Sequence, residues 1–237
     1  MVVVAHPDDI ETIAGGTVAF MVGCNISVSY IITTNGDKGW SKNYSMTSPK
    51  LAQIRQGEQI NAGRVLNVTN ITFLHNEDGR LEGANPITLK MNISQWIRVF
   101  KPHVLLTFSS VIDYKVYQFG LMHSDHTASG IAAMNAVWPS CRDYLAFSNL
   151  WPQFSTWDVP EVWLFSFTGP LGKGDVLLQL SANLLNLKTA ALLKHRSQYD
   201  NATQVRQELV QIGNYVAASN NLSANIVAEA FQVVNIL

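Results

Sequence analysis

The sequence predicts one α/β domain in which a mostly parallel, doubly wound sheet carries helices on both faces. Short apolar runs alternate with helical patterns through the first half of the chain, which is the order of a parallel β-α-β sheet. The first run, VVVA at 2–5, is apolar throughout, as in a strand buried on both faces. The 237 residues contain no repeat, low-complexity tract or linker, so we expect 1–237 to form a single domain.

Four strands and four helices are predicted in the first half of the chain. The strands are at 2–5, 26–34, 71–74 and 103–108. The helices are at 10–22, 49–66, 86–100 and 125–138. The second strand, ISVSYIITT, is rich in β-branched residues and ends in the turn sequence NGDKG, and the helix that follows has apolar residues at helical spacing.

The second half of the chain is less regular. EVWLFSF at 161–167 and VLLQL at 176–180 have the composition of strands. Residues 182–198 and 203–218 have helical patterns. These elements extend the same α/β domain.

Two groups of polar side chains follow predicted strands. HPDD at 6–9 comes directly after the first strand, and HSDH at 123–126 lies between the fourth strand and a helix. Each motif alone is more typical of a turn than of a functional site. Because the carboxyl ends of parallel strands meet at one edge of a sheet, the two motifs together predict a site there.

Two histidines and one carboxylate of these motifs suit a zinc ion. His6, Asp9 and His126 would supply three ligands and leave a fourth position for water, which is the arrangement of catalytic zinc. Water bound to zinc ionises near neutral pH. Asp8 is placed to accept its proton as general base.

The other polar residues of the second motif have supporting roles in this hypothesis. His123 would donate to a developing oxyanion or protonate a leaving amine, and Asp125 would orient an imidazole. The glycine pair at 15–16 belongs to neither a G-x-G-x-x-G nor a G-x-x-x-x-G-K-[ST] motif. A nucleotide-binding function is therefore disfavoured.

AHPDDIETIAGGTVA followed by HSDHTASGIAAMNA resembles the PIG-L/LmbE-like family of zinc-dependent de-N-acetylases. Further landmarks resemble that family in its order: TTNGDKG (33–39), RQGE (55–58), LHNEDGRLE (74–82), FKPHVLLT (100–107), KTAALLKHRSQ (188–198) and AEAF (228–231). The resemblance implies a Rossmann-like, three-layer αβα fold. It also implies hydrolysis of the acetyl group of an N-acetylglucosamine moiety, with acetate and a free amine as products.

The resemblance assigns roles to the residues of both motifs. It implies that His6, Asp9 and His126 bind Zn²⁺ or another divalent ion and that Asp8 is the general base. In the same way, it implies that His123 stabilises the oxyanion and that Asp125 supports it. Some relatives are oligomers, so a homo-oligomer is possible.

Substrate contacts are expected from three further positions. Arg55 matches the arginine of an R-x-x-E motif in the family, and Asp78 in the DG pair either holds a sugar hydroxyl or shapes its loop. Trp40 follows the second strand, so it either stacks on a sugar or packs at the rim. His195 and Gln198 are expected to support the site or the structure rather than to contact the substrate.

Two positions depart from the family pattern. Met122 stands where many members have glycine, and Leu121 stands where some have a tyrosine that donates to the oxyanion. Substrate preference is therefore expected to diverge in the loop at 109–123. Two other functions stay open: a carbohydrate-binding protein without turnover, and an amidase acting on a larger amide. The complete ligand set and Asp8 favour an enzyme.

Charge and composition limit the classes of partner that the chain is expected to bind. The net charge is −1 and no Lys/Arg run is present, so nucleic acid is not an expected partner, whereas a small-molecule or oligosaccharide substrate is. No apolar stretch approaches the roughly 18 residues that a membrane span needs. Cys24 and Cys141 either pair or stay free.

The chain is rich in N-glycosylation sequons. They occur at Asn25, Asn43, Asn67, Asn70, Asn92, Asn201 and Asn221. Seven sequons among 19 asparagines exceed the chance expectation and favour a glycosylated protein of the secretory pathway or extracellular space. The alternative is an asparagine-rich cytoplasmic chain.

Overall fold

The structure is a computed structural model that describes residues 1–39, 45–111, 123–166, 173–223 and 225–236. Trp40, Leu121 and Met122 lie outside the described residues, as does the sequon at Asn43. None of the described helices is long and apolar enough to cross a membrane.

Strands and helices alternate along the described chain. The strands are β1 (Val2–Val4), β2 (Ser29–Thr34), β3 (Asn70–Asn76), β4 (Val104–Phe108), β5 (Glu161–Phe165), β6 (Val176–Gln179) and β7 (Ala228–Asn235). The α-helices are α1 (Asp9–Ile13), α2 (Gly15–Gly23), α3 (Ser48–Val65), α4 (Pro86–Phe100), α5 (Ser124–Asn135), α6 (Ala182–Leu192) and α7 (Ala202–Ser219).

The strands form one sheet in the order β3-β2-β1-β4-β5-β7-β6. The first five strands in this order pair in parallel, whereas β7 runs antiparallel to both β5 and β6. The order reverses beside β1, so the carboxyl ends of β1 and β4 flank a crevice of the kind in which α/β proteins bind ligands. The predicted mostly parallel α/β sheet is confirmed.

Helices cover both faces of the sheet. Val2 and Val4 of β1 point into a core that includes Val18 of α2, whereas Val3 points into a second core that includes Ile93 of α4 and Ala133 of α5. Successive strand residues face opposite sides of a sheet, so an all-apolar strand fills both cores at once. The result is the expected three-layer αβα arrangement.

The predicted single helix at 10–22 is wrong. Ala14, with φ of −123°, separates α1 from α2. The new helix start is stabilised from far along the chain, because the Glu229 carboxylate accepts hydrogen bonds from the backbone N–H groups of Gly16 and Thr17. An acidic group at a helix N-terminus satisfies donors that have no partner within the helix.

Other element boundaries also differ from the predictions. The helix predicted at 125–138 ends at Asn135. Residues Ala136–Ser140 form a kinked segment in which Trp138 is extended (φ −134°, ψ 124°) and is followed by Pro139, a residue that cannot continue a regular helix. The helix predicted at 182–198 ends at Leu192, and residues 193–198 form turns. The sequence also gave no prediction of β7, which lies between β5 and β6.

Candidate active site

The two polar motifs meet at the carboxyl edge of the sheet. His6 follows the last residue of β1 by two positions, and Asp78 follows the last residue of β3 by two. His123 is the N-cap of α5, so His126 lies in the first turn of that helix. The parallel register therefore brings side chains that are 120 positions apart into contact.

Metal-binding atoms of His6, Asp9 and His126 lie close together. His6 Nδ1 and His126 Nε2 are 3.2 Å apart, Asp9 Oδ1 is 3.3 Å from His126 Nε2, and Asp9 Oδ2 is 3.6 Å from His6 Nδ1. Ligand bonds of about 2.0–2.2 Å in a tetrahedron separate neighbouring ligands by about 3.3–3.6 Å. The spacing of this donor set therefore fits a zinc-sized divalent ion.

The hydrogen bonds of His6 set its tautomer. Its Nε2 lies 3.1 Å from Asp78 Oδ1 and 3.3 Å from Asp125 Oδ2, and both carboxylates can only accept. Nε2 therefore carries a proton, so Nδ1 is the nitrogen that would bind a metal ion once it has lost its own proton. A carboxylate behind a histidine ligand orients the ring and raises its basicity.

Asp125 is held in place by the loop after β3. Its carboxylate accepts the backbone N–H of Gly79 at 2.7 Å and of Leu81 at 2.9 Å, and its side chain is fully buried. Asp125 was predicted to orient an imidazole and to support His123. Its carboxylate lies closer to His6 Nε2, at 3.3 Å, than to His123 Nδ1, at 3.9 Å.

Asp78 belongs to the framework of the site. Burial is the largest single influence and opposes ionisation of its carboxyl group, but the hydrogen bond and charge of His6, the Lys38 N–H and the charge of Arg55 together lower the pKa of Asp78 to about 2. Its other oxygen accepts the backbone N–H of Lys38. Asp78, His123 and Asp125 also form a second acidic and histidine group around His6. In this second group His6 would have to bind an ion through Nε2, but Nε2 carries the proton that is shared with Asp78 and Asp125. The two groups are therefore not independent metal sites.

Asp8 lies beside the metal position without belonging to the donor set. Its carboxylate oxygen Oδ2 is 3.0 Å from Arg55 Nη2, and Arg55 also donates to the backbone oxygens of Pro7 and Gly36. Burial raises the pKa of Asp8, and the positive charge of Arg55 opposes that rise. A carboxylate with a raised pKa that is not a ligand suits a general base.

His123 lines the cavity over the site. The backbone N–H of Asp125 donates to His123 Nδ1 at 3.2 Å, so Nε2 carries the proton in the neutral ring. Burial, followed by the charge of His6, lowers the pKa of His123 and favours that neutral form near pH 7. Its side chain is 41% exposed, and its Nε2 lies 3.9 Å from Asp78 Oδ1, which is beyond hydrogen-bond distance.

A cavity of about 480 Å³ opens over these groups. One side carries the polar site, including Asp8, Asp78 and His123, and the other is an apolar wall from α6 and α7. The apolar wall is formed by Leu192, Val205, Leu209 and Ile212. Arg55 and Asp78, the predicted substrate contacts, both line the cavity, but most of their polar atoms already bind protein groups. The remaining predicted contact, Trp40, lies outside the described residues.

Two residues near Asp8 were missed from the sequence. Tyr199 lines the cavity, and burial raises the pKa of its hydroxyl group. Gln59 accepts the backbone N–H of Asp8. Gln59 lies four positions after Arg55 on the buried face of α3, and this helical spacing was a usable signal. Tyr199 follows a predicted helix that ends early, so nothing local pointed to it.

Comparison with known proteins agrees with this geometry. Residues 1–137 match the family model PIG-L, described as GlcNAc-PI de-N-acetylase, and this match covers more than half of the chain. The chain belongs to the PIG-L family. The matched part contains both polar motifs and therefore every residue of the candidate metal centre.

Individual PIG-L relatives are distant but span most of the chain. A probable N-acetyl-alpha-D-glucosaminyl L-malate deacetylase 2 of Bacillus subtilis is 24% identical over 225 residues, covering 92% of this chain and 91% of the relative. A 1D-myo-inositol 2-acetamido-2-deoxy-alpha-D-glucopyranoside deacetylase of Rhodococcus jostii is 26% identical over 266 residues, covering 97% and 88%.

Solved structures share the fold. The N,N'-diacetylchitobiose deacetylase of Pyrococcus horikoshii superposes with a TM-score of 0.81 at 21% identity, covering 97% of this chain and 81% of that one. The 4-carboxy-2-hydroxymuconate hydratase of Pseudomonas putida superposes with a TM-score of 0.76 at 20% identity, covering 100% and 95%. The fold therefore carries more than one reaction, and the function has to be argued from the site.

Proposed function

We propose that this PIG-L protein is a metal-dependent deacetylase that removes the acetyl group from an N-acetylglucosamine-type amino sugar. One observation carries the proposal: one nitrogen each of His6 and His126 and the two carboxylate oxygens of Asp9 lie 3.2–3.6 Å apart, the spacing of ligands around a zinc ion, with Asp8 outside this set. Zn²⁺ is the ion that this donor set favours, although other divalent ions accept the same ligands.

The chain's own residues have distinct roles in this hydrolysis. A divalent ion held by the three ligands would polarise the acetyl carbonyl and lower the pKa of a water molecule. Asp8 accepts the proton of the attacking water, and its raised pKa lets it pass that proton to the departing amine. His123 donates Nε2–H to the oxygen of the acetyl group as negative charge develops there.

The substrate class follows from the cavity and from the relatives. A volume of about 480 Å³ accommodates an amino sugar together with part of an attached group. The two curated relatives above are named for substrates in which N-acetylglucosamine is linked to malate or inositol. We expect a small N-acetylglucosamine conjugate or a short oligosaccharide as substrate, and a homo-oligomer is compatible with this function.

Acetate release tests the proposal directly. The purified chain is incubated with N,N'-diacetylchitobiose and other N-acetylglucosamine conjugates, and acetate is quantified with and without a chelator. We expect release that the chelator abolishes and that added Zn²⁺ restores. Asp8→Asn is expected to lower kcat by about 10²–10⁴-fold with the metal content unchanged, because Asp8 acts as a base and not as a ligand.

The same assay separates the alternatives. A carbohydrate-binding protein without turnover would bind the sugars and release no acetate, and an amidase for larger amides would release a longer acid instead. Full activity in the presence of the chelator, or in Asp8→Asn, would rule out the proposed mechanism.

We also propose that the chain is a glycoprotein of the secretory pathway. Five of the six sequon asparagines within the described ranges are exposed, namely Asn25, Asn67, Asn70, Asn201 and Asn221. The sixth, Asn92, is half-buried in α4, and its sequon partner Ser94 is fully buried. In protein isolated from its natural source, we expect peptide N-glycosidase to reduce the mass and to convert exposed sequon asparagines, but not Asn92, to aspartate. A mass equal to that of the bare chain would refute the proposal.

A further inference from the structure

The conformation of Asp8 is unusual for a residue with a side chain. Its φ is 98° and its ψ is −21°, in the region that favours glycine. A non-glycine residue is strained in this conformation and persists there only where its surroundings over-determine it. The strain falls on the residue that acts as general base in the proposed function.

Several groups fix the backbone around Asp8. The Asp8 N–H donates to Gln59 Oε1 at 3.0 Å. Its carbonyl oxygen accepts both the backbone N–H and the hydroxyl group of Thr12, each at 3.0 Å. Arg55 donates to the preceding carbonyl oxygen, that of Pro7, at 2.6 Å. Of these groups, Gln59 alone binds the N–H of the strained residue.

The orientation of Gln59 is itself determined by its neighbours. Its Nε2 donates to Glu11 Oε1 at 2.9 Å, and the other oxygen of Glu11 lies 3.3 Å from His195 Nε2. Gln59, Glu11 and His195 are all fully buried. Because a carboxylate only accepts hydrogen bonds, Glu11 attracts the NH₂ group of Gln59, and the amide oxygen must then face Asp8.

We propose that Gln59 is a positioning residue, which Glu11 and His195 orient so that its amide oxygen keeps Asp8 in the strained conformation in which its carboxylate pairs with Arg55 and lines the cavity together with the metal ligands. Gln59 does not line the cavity, so its effect on the reaction passes through Asp8. The inference rests on the proposed deacetylase function and adds to it a buried series of hydrogen bonds. The series runs from His195, in the turns after α6, through Glu11 of α1 and Gln59 of α3 to Asp8.

The test compares two glutamines of the same helix. Gln59→Met keeps the side-chain length but removes the acceptor, and Gln53→Met makes the same change on the exposed face of α3. At a temperature far below the melting temperature, we expect Gln59→Met to lower kcat per metal-loaded enzyme by about 10–100-fold, with KM and metal content unchanged. Gln53→Met is expected to match the wild type. A merely structural role of Gln59 would lower the melting temperature and leave kcat unchanged.

A second pair of variants tests the orienting step and serves if Gln59→Met does not fold. Glu11→Gln can still accept from Gln59 and is expected to retain kcat within about threefold, whereas Glu11→Met should lose it as Gln59→Met does. A crystal structure of Gln59→Met, or of Glu11→Met if only that variant folds, should show Asp8 outside the left-handed region. Wild-type kcat in both Met variants, or an unchanged Asp8 conformation, would overturn the inference. Absence of acetate release by the wild type would instead refute the proposed function, and the crystal structure would still decide the positioning role.

Discussion

Replacing Asp125 by asparagine tests how the chain tunes its metal ligands. The carboxylate of Asp125 accepts three donors, namely the N–H groups of Gly79 and Leu81 and the Nε2–H of His6. Asparagine offers one oxygen and one NH₂ group in the same space. At least one of the three N–H groups would therefore face the NH₂ group of asparagine and lose its hydrogen-bond acceptor. The change leaves every atom of the donor set in place and alters only its support.

The expected size of the effect follows from the contacts of His6. Loss of a carboxylate behind a histidine ligand typically lowers metal affinity 10–100-fold. Asp78 Oδ1, at 3.1 Å from the same nitrogen, remains as an acceptor, so we expect a loss near 10-fold. The double variant Asp78→Asn/Asp125→Asn removes both carboxylates and should approach 100-fold. The orphaned backbone donor costs a further 1–3 kcal/mol, roughly, in stability.

Competition against a chelating dye measures the metal affinity, and thermal unfolding of the metal-free protein measures the stability separately. Asp158→Asn is the matched control, because its carboxylate is 70% exposed and lies outside the site. An affinity of Asp125→Asn within twofold of the wild type would refute the argument that Asp125 tunes His6. Equal losses in the single and double variants would refute the compensating role of Asp78.

Three further outcomes follow from the structure. Lys188→Met should lower the free energy of unfolding, measured by chemical denaturation, by about 3 kcal/mol, because it leaves the buried Glu229 carboxylate without its cation. A loss below about 1 kcal/mol would contradict this. Thiol titration of the native protein should detect one cysteine, the exposed Cys24, because Cys141 is buried and burial raises the pKa of its thiol to about 12. Reaction of both cysteines before denaturation would contradict the fold. Metal at about 100 times its dissociation constant adds about 2.7 kcal/mol to the free energy of unfolding. Removing the metal should therefore lower the melting temperature by roughly 5–11 °C. An unchanged melting temperature would argue against a metal site in the folded protein.

The sequence alone was sufficient for the fold class and for the two motifs of the site. All-apolar strands such as VVVA at 2–5 report burial on both faces, which is a local property of the chain. Because parallel strands align their carboxyl ends, HPDD and HSDH could be placed at one edge before any contact was known. The chemistry of His6, Asp9 and His126 then indicated a metal, and their spacing in the structure fits one.

Contacts between distant segments decided the rest. The break between α1 and α2 is stabilised by Glu229, more than 200 positions away, and the glycine pair after Ala14 does not by itself place the break there. The strained backbone of Asp8 likewise depends on Gln59, whose amide is oriented by Glu11 from another helix. Periodicity and motif spacing record which faces are buried and which groups recur together. They do not predict which buried polar groups form hydrogen bonds with one another, because the geometry of the packed core decides that pairing.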